Sequence, residues 1–81
     1  MQPEQDFDQL RRTVFESAKR LLEAHRRGQP AVTTADVAAH TNLDLPLVTK
    51  AVKALSVEHL DVEPHEDWQY AEILGVGQDL D

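Results

Sequence analysis

The stretch TTADVAAHTNLDLPLVTKAVKAL, Thr33–Leu55, decides how this chain is read. It spells two short helices joined by a tight turn. Thr33 precedes Asp36 by three residues, a Thr/Asp variant of the capping box, so a helix opens there. That helix runs to about Thr41, with Val37, Ala38 and Thr41 on its inward side. Asn42 follows, one of the few non-glycine residues that tolerates positive φ. Asp44 suits the N-cap of the next helix, and Pro46 suits its first turn. Val48, Ala51, Val52 and Leu55 recur at helical spacing and face inward.

Upstream, residues 5–27 read as one long helix. Phe7, Leu10, Val14, Ala18, Leu21, Leu22 and His25 recur at three- and four-residue steps, with Phe15 beside the stripe. Glu4, Asp6 and Asp8 at its start and Arg26 and Arg27 at its end suit the helix dipole. Gly28 can turn left-handed and Pro30 blocks continuation. Ala31 and Val32 are long enough for a very short strand. Downstream of Leu55 the period changes to two. Leu60 and Val62 alternate with Asp61 and Glu63, a strand pattern. Pro64-His65-Glu66-Asp67 has turn chemistry, and Trp68–Val76, rich in aromatic and β-branched residues, reads as the returning strand. Gly75, Gly77 and the tail QDLD read as the end of ordered structure.

Eighty-one residues fit one domain, 1–81, with no internal repeat or linker. A chain this short buries only about 60% of the surface its unfolded form exposes, so its core is small. The absence of cysteine excludes disulfides, thiolate metal sites and a cysteine nucleophile, and suits a reducing cytoplasm. No apolar run approaches the ~18 residues a membrane span needs, and the opening MQPEQDFDQ is unlike a secretory signal. The net charge of −7 argues against a general affinity for polyanions. The imbalance is local: residues 57–81 hold eight Asp and Glu and no Lys or Arg.

Helix, short strand, helix, turn, helix, hairpin is an order that resembles the winged helix–turn–helix family. The resemblance covers most of the chain, with the motif between Thr33 and Leu55 and a wing at about 60–76. Ala39 falls at the family's small residue where the two motif helices touch. Asn42 replaces the usual turn glycine, and Leu43 is the apolar residue after it. Val48 and Val52 match the inward residues of the second helix, and Leu55 closes it. SVEHLDVEP, residues 56–64, is similar to the passage into the first wing strand. The resemblance implies an α+β fold of three helices with a C-terminal β-hairpin wing. It also implies binding of double-stranded DNA, in transcriptional regulation, with the second motif helix in the major groove.

On that helix Pro46, Leu47, Thr49, Lys50, Lys53 and Ala54 point outward. Lys50 and Lys53 reach phosphates or guanine edges, and Thr49 a base or a phosphate. The bland alternative is that the two lysines only solvate an exposed face. No Arg, Asn or Gln stands among these positions, so the strongest bidentate base readers are missing. The wing presents Glu63, His65, Glu66, Asp67 and Glu72, whose carboxylates repel phosphates within a screening length of ~10 Å at 0.1 M salt. The cations of the first helix read mainly as surface solvation, with Glu16 placed to pair with Arg12 or Arg20. Arg26, Arg27 and Lys50 form one patch only if the fold brings them together.

Trp68 and Tyr70 share one face of a regular last strand. They either cover the core or, with the exposed apolar Leu47, anchor a protein partner. His25, His40, His59 and His65 show no ligand spacing, so neither a metal nor another cofactor is expected. No phosphate loop, nucleophile elbow or placed carboxylate pair suggests catalysis. Two functions stand as expectations: first a DNA-binding protein using Thr49, Lys50 and Lys53, and second an acidic module that binds protein through Leu47, Trp68 and Tyr70. Homodimerisation through the first helix fits both.

Overall fold

A computed structural model describes residues 5–80. The elements are α1 (Gln5–Ala24), β1 (Val32–Thr33), α2 (Thr34–Thr41), α3 (Leu45–Leu55), β2 (Leu60–Glu63) and β3 (Glu72–Val76). A 3-10 turn, Trp68–Tyr70, stands before β3. The fold is α+β: three helices against a three-stranded antiparallel sheet of order β1-β3-β2, a winged-helix-like arrangement.

The motif forms by the local chemistry its sequence carries. Asp36 N–H donates to Thr33 Oγ1 at 3.2 Å, and Thr33 N–H donates to Asp36 Oδ2 at 3.0 Å. This closes the capping box on two otherwise orphaned donors. Asn42 sits in the left-handed region at φ 62°, and its N–H donates to Ala38 O at 2.9 Å. Asp44 has the extended backbone of an N-cap, but its side chain makes no cap bond. The close approach of α2 falls to Ala38, not Ala39. Thr34, Val37 and Ala38 lie on one buried face, while Ala39 is exposed, one helical step round.

Two other boundaries differ from expectation. α1 stops at Ala24, three residues before Arg27. The chain turns through Gly28 at φ 92°, Arg26 N–H donates to Gln29 Oε1 at 2.8 Å, and His25 Nε2 lies 3.0 Å from Pro30 O. His25 is therefore exposed instead of facing inward, and Arg26 and Arg27 lie in a turn, not in a last helical turn. Glu4 and the side chain of Asp6, expected at the helix start, lie outside the described residues.

The returning strand is also shorter, starting at Glu72 and not at Trp68. Asp67 competes for the backbone: its carboxylate accepts Gln69 N–H at 3.2 Å and Gln69 Nε2–H at 2.7 Å. Tyr70 N–H then bonds Asp67 O, and Ala71 N–H bonds Trp68 O. Local side-chain bonds of this kind displace strand geometry. Trp68 and Tyr70 consequently do not share a strand face: Trp68 is half-buried against the core and Tyr70 is exposed.

Val14, Val37, Val48, Val52, Leu55 and Ile73 form the fully buried centre, with Phe15 and Leu60 beside them. Cutting Leu55 to Ala costs about 2–5 kcal/mol, a large part of the roughly 5–15 kcal/mol that holds a domain together. In the wing, Asp61 pairs with Gly75 but Val62 pairs with Ile73, so Leu74 is an extra residue and the strand bulges there. The chain past β3 stays packed, contrary to its polar composition. Gly77 N–H donates to His59 O at 2.8 Å, Gln78 N–H donates to Glu58 O at 2.9 Å, and Leu80 lies against the core. No helix among the described residues is long and apolar enough to cross a membrane.

Candidate functional site

The outward face of α3 is where the candidate residues meet. Pro46, Leu47, Lys50 and Lys53 are exposed, and Thr49 and Ala54 are half-buried. Val48, Ala51, Val52 and Leu55 take the inward side, which fixes this orientation. Each lysine is braced by a ring from another element. Lys50 Nζ stands 5.4 Å from the centroid of Phe7, in the first turn of α1. Lys53 Nζ stands 5.3 Å from the centroid of Trp68, in the 3-10 turn. A cation over a ring face at an exposed site is worth about 0.5–1 kcal/mol. The rings thus limit where the ammonium groups rest without removing them from solvent.

Beside Lys50 the surface becomes apolar. Phe7 and Leu10 of α1, Leu43 of the turn and Leu47 of α3 line an open groove of about 440 Å³. Gln9 and Thr13 edge it, and Lys50 is its one charged lining residue among the described residues. Leu47 is 45% exposed, high for a leucine already placed on a rigid helix. Arg11 also meets the Phe7 ring, its Cζ 5.6 Å from the centroid and its Nη2 2.7 Å from Asp8 Oδ1. That contact is the one ion pair within 4.0 Å among the described residues, so the expected Glu16 pairs do not form.

The 3-10 turn after the wing tip meets α3 through the Lys53–Trp68 contact, and carboxylates precede it in the chain. Glu63, Glu66 and Asp67 are exposed, and Trp68, which carries Lys53, follows Asp67 directly. The side-chain and then the backbone N–H of Gln69 bond the Asp67 carboxylate and hold its pKa below its ordinary value, with His65 adding a smaller pull. Asp67 therefore stays ionised to lower pH than an isolated aspartate. Asp67 N–H donates to His65 Nδ1 at 3.1 Å, and the His65 ring meets Tyr70 edge-on at 5.7 Å. Within the sheet, Glu63 and Glu72 stand directly opposite one another.

The patch of Arg26, Arg27 and Lys50 does not form. Lys50 rests on Phe7, and the two arginines follow the other end of α1. At 1.5 Å per residue about 26 Å of helix separates them.

Other polar groups serve packing. Ser17 Oγ and His40 Nδ1 lie 2.7 Å apart and tie α1 to α2; Ser17 is buried, and among the described residues no third group bonds the ring. His59 Nδ1 lies 2.7 Å from Gln78 O and its ring meets Phe15 edge-on. Among the described residues no three His, Asp or Glu side chains come together as a metal site would need.

Leu47, Lys50 and Lys53 are thus brought together, Trp68 joins them through Lys53, and Thr49 lies beside them partly covered. Tyr70 lies apart, against His65. Sequence reasoning missed Phe7, Leu10 and Leu43 as parts of a surface, because their spacing and apolar character assign them equally well to the core. No protein-family model, curated protein or solved structure matches this chain.

Proposed function

We propose that this chain is a protein-binding module of winged-helix build. Its contact surface is the outward face of α3 together with the α1–α3 groove. The observation that carries this reading is Leu47, exposed at the mouth of a groove walled by Phe7, Leu10 and Leu43. An apolar side chain on a rigid helix beside an apolar cleft is the kind of anchor on which protein interfaces concentrate their energy. The sequence alone ranks DNA binding first. The groove, and the carboxylates that precede Trp68 in the wing turn, favour protein over DNA in our reading.

The test substitutes Leu47→Asp and compares it with the parent as bait for protein partners. Partners retained by the parent and lost to Leu47→Asp, with both baits equally folded by circular dichroism, are the expected result. Identical retention by both baits counts against the reading.

Duplex DNA is the second reading, and it has its own observation: Lys50 and Lys53 stand exposed, one helical turn apart, on the helix that the family resemblance sets in a major groove. A site neutralising two phosphates gives a log–log salt slope of only about −1.8, with the wing opposing it. Mixed-sequence duplex titrated at low salt distinguishes the two readings. Amide shifts along Leu45–Lys53 that vanish in Lys50→Glu/Lys53→Glu make DNA the ligand.

A further inference from the structure

We infer that the α1–α3 groove takes an amphipathic helix whose apolar ridge is flanked by Asp or Glu. The inference rests on the protein-binding reading above and names the partner's chemistry. Two features of the groove select it.

The first is that its long walls offer little backbone to pair with. Its long walls are α1 and α3, whose interior N–H and C=O groups are consumed by their own helical bonds. At the exposed start of α3, Leu47 and Val48 N–H both bond Asp44 O, and Pro46 has no N–H to give. An extended peptide adding to a sheet gains affinity from main-chain bonds. Here it would bury its own amides unpaired. A helix satisfies its backbone internally and presents only side chains, which is the form that suits an apolar cleft between two helices.

The second is charge. In a chain of net charge −7, the groove is lined by one cation and no carboxylate among the described residues. That cation, Lys50, is steadied by Phe7, and Lys53 continues the same side of α3 one turn further on. An apolar ridge resting on Leu47 and Leu43 therefore sets one flank of the incoming helix against Lys50, the ammonium that rests on Phe7 and not on Trp68 after the acidic wing turn. Carboxylates on that flank meet opposite charge well inside the ~8 Å screening length of physiological salt. Lysines there meet like charge.

The experiment is a selection from a displayed library of helix-forming peptides. Each carries leucine at i, i+3, i+4 and i+7, with flanking positions randomised among Asp, Glu, Lys, Arg, Ser and Gln. The full chain is the target. Enrichment of Asp and Glu on one flank is expected, in peptides whose synthetic copies shift the amides of Thr13, Leu43 and Leu47. Binding should fall at least tenfold in Leu47→Asp, and Lys50→Glu should reverse the preference toward Lys-flanked copies. Melting curves of both variants confirm folding, and Leu47→Ala serves where Leu47→Asp unfolds. Peptides that bind this groove with basic or uncharged flanks overturn the charge inference and leave the protein-binding reading standing. No enrichment, or enriched peptides displaced by duplex DNA and indifferent to Leu47, overturn both.

Discussion

Thr33 does two jobs with one short side chain. Its backbone ends β1 opposite Glu72, and its hydroxyl caps α2 by accepting Asp36 N–H. The position of α2 thus depends on a single residue shared by sheet and helix. Removing a capping hydroxyl costs about 1 kcal/mol; the reciprocal bond to Asp36 is donated by the backbone N–H at position 33 and does not need the hydroxyl. Thr33→Ala is therefore expected to destabilise the fold by about 1–2 kcal/mol, and Thr33→Ser to restore most of it. Urea unfolding followed by Trp68 fluorescence measures both. Equal midpoints for Thr33→Ala and the parent would show the box to be dispensable. Asn42 is a second residue whose chemistry is local, since only its positive φ lets Leu43 turn back toward the core.

Elements are held in register by close backbone contacts as well as by apolar packing. Past β3, Gly77 lies so near the turn before β2 that a Cβ there would stand 2.7 Å from Glu58 O. A side chain can swing aside, but this neighbour is backbone. Gly75, two residues earlier, has nothing within 4 Å of its would-be Cβ. Gly77→Ala is expected to open the Gly77–His59 and Gln78–Glu58 bonds, whereas Gly75→Ala is tolerated. Amide hydrogen exchange should show protection lost at residues 77 and 78 in the first variant only. Matching exchange in the two variants would remove this contact as the clasp of the C-terminal segment. The contrast also shows what was legible in the sequence. The capping box, the Asn42 turn and the inward valines of α3 are written in near neighbours, so spacing alone placed them. The 3-10 turn at Trp68 was not legible, because β propensity favours Trp and Tyr in strands while the competing bonds come from Asp67. Nor was the groove. It needs the first turn of α1 beside the first two turns of α3, including a contact between Phe7 and Lys50 that no local pattern encodes.

At the scale of the molecule the governing fact is a charge divide. Residues 1–56 hold eight Lys and Arg against seven Asp and Glu, nearly balanced, while residues 57–81 hold eight acids alone. The fold gathers many of the latter on the wing, where Glu63 and Glu72 face each other across β2 and β3 and Asp61 lies on the same strand as Glu63. Like charges directly opposed on a sheet cost roughly 0.2–1 kcal/mol. These groups are exposed, so dissolved ions screen them. Raising sodium chloride should therefore raise Tm, unlike a fold whose stability rests on exposed ion pairs. Glu72→Gln should raise Tm at low salt by about 1–8 °C, using roughly 4–8 °C per kcal/mol for a domain this small. It should also shrink the gain from added salt, since one of the repelling groups is gone. Calorimetric scans of parent and variant at low and high salt measure both effects. If salt lowers Tm, or if Glu72→Gln leaves the salt response unchanged, wing repulsion is not what limits stability. The same divide bears on partners. Under the acidic-helix proposal the wing would turn such a helix away and Lys50 would draw it in, so the charges that weaken the fold would also direct it to α3.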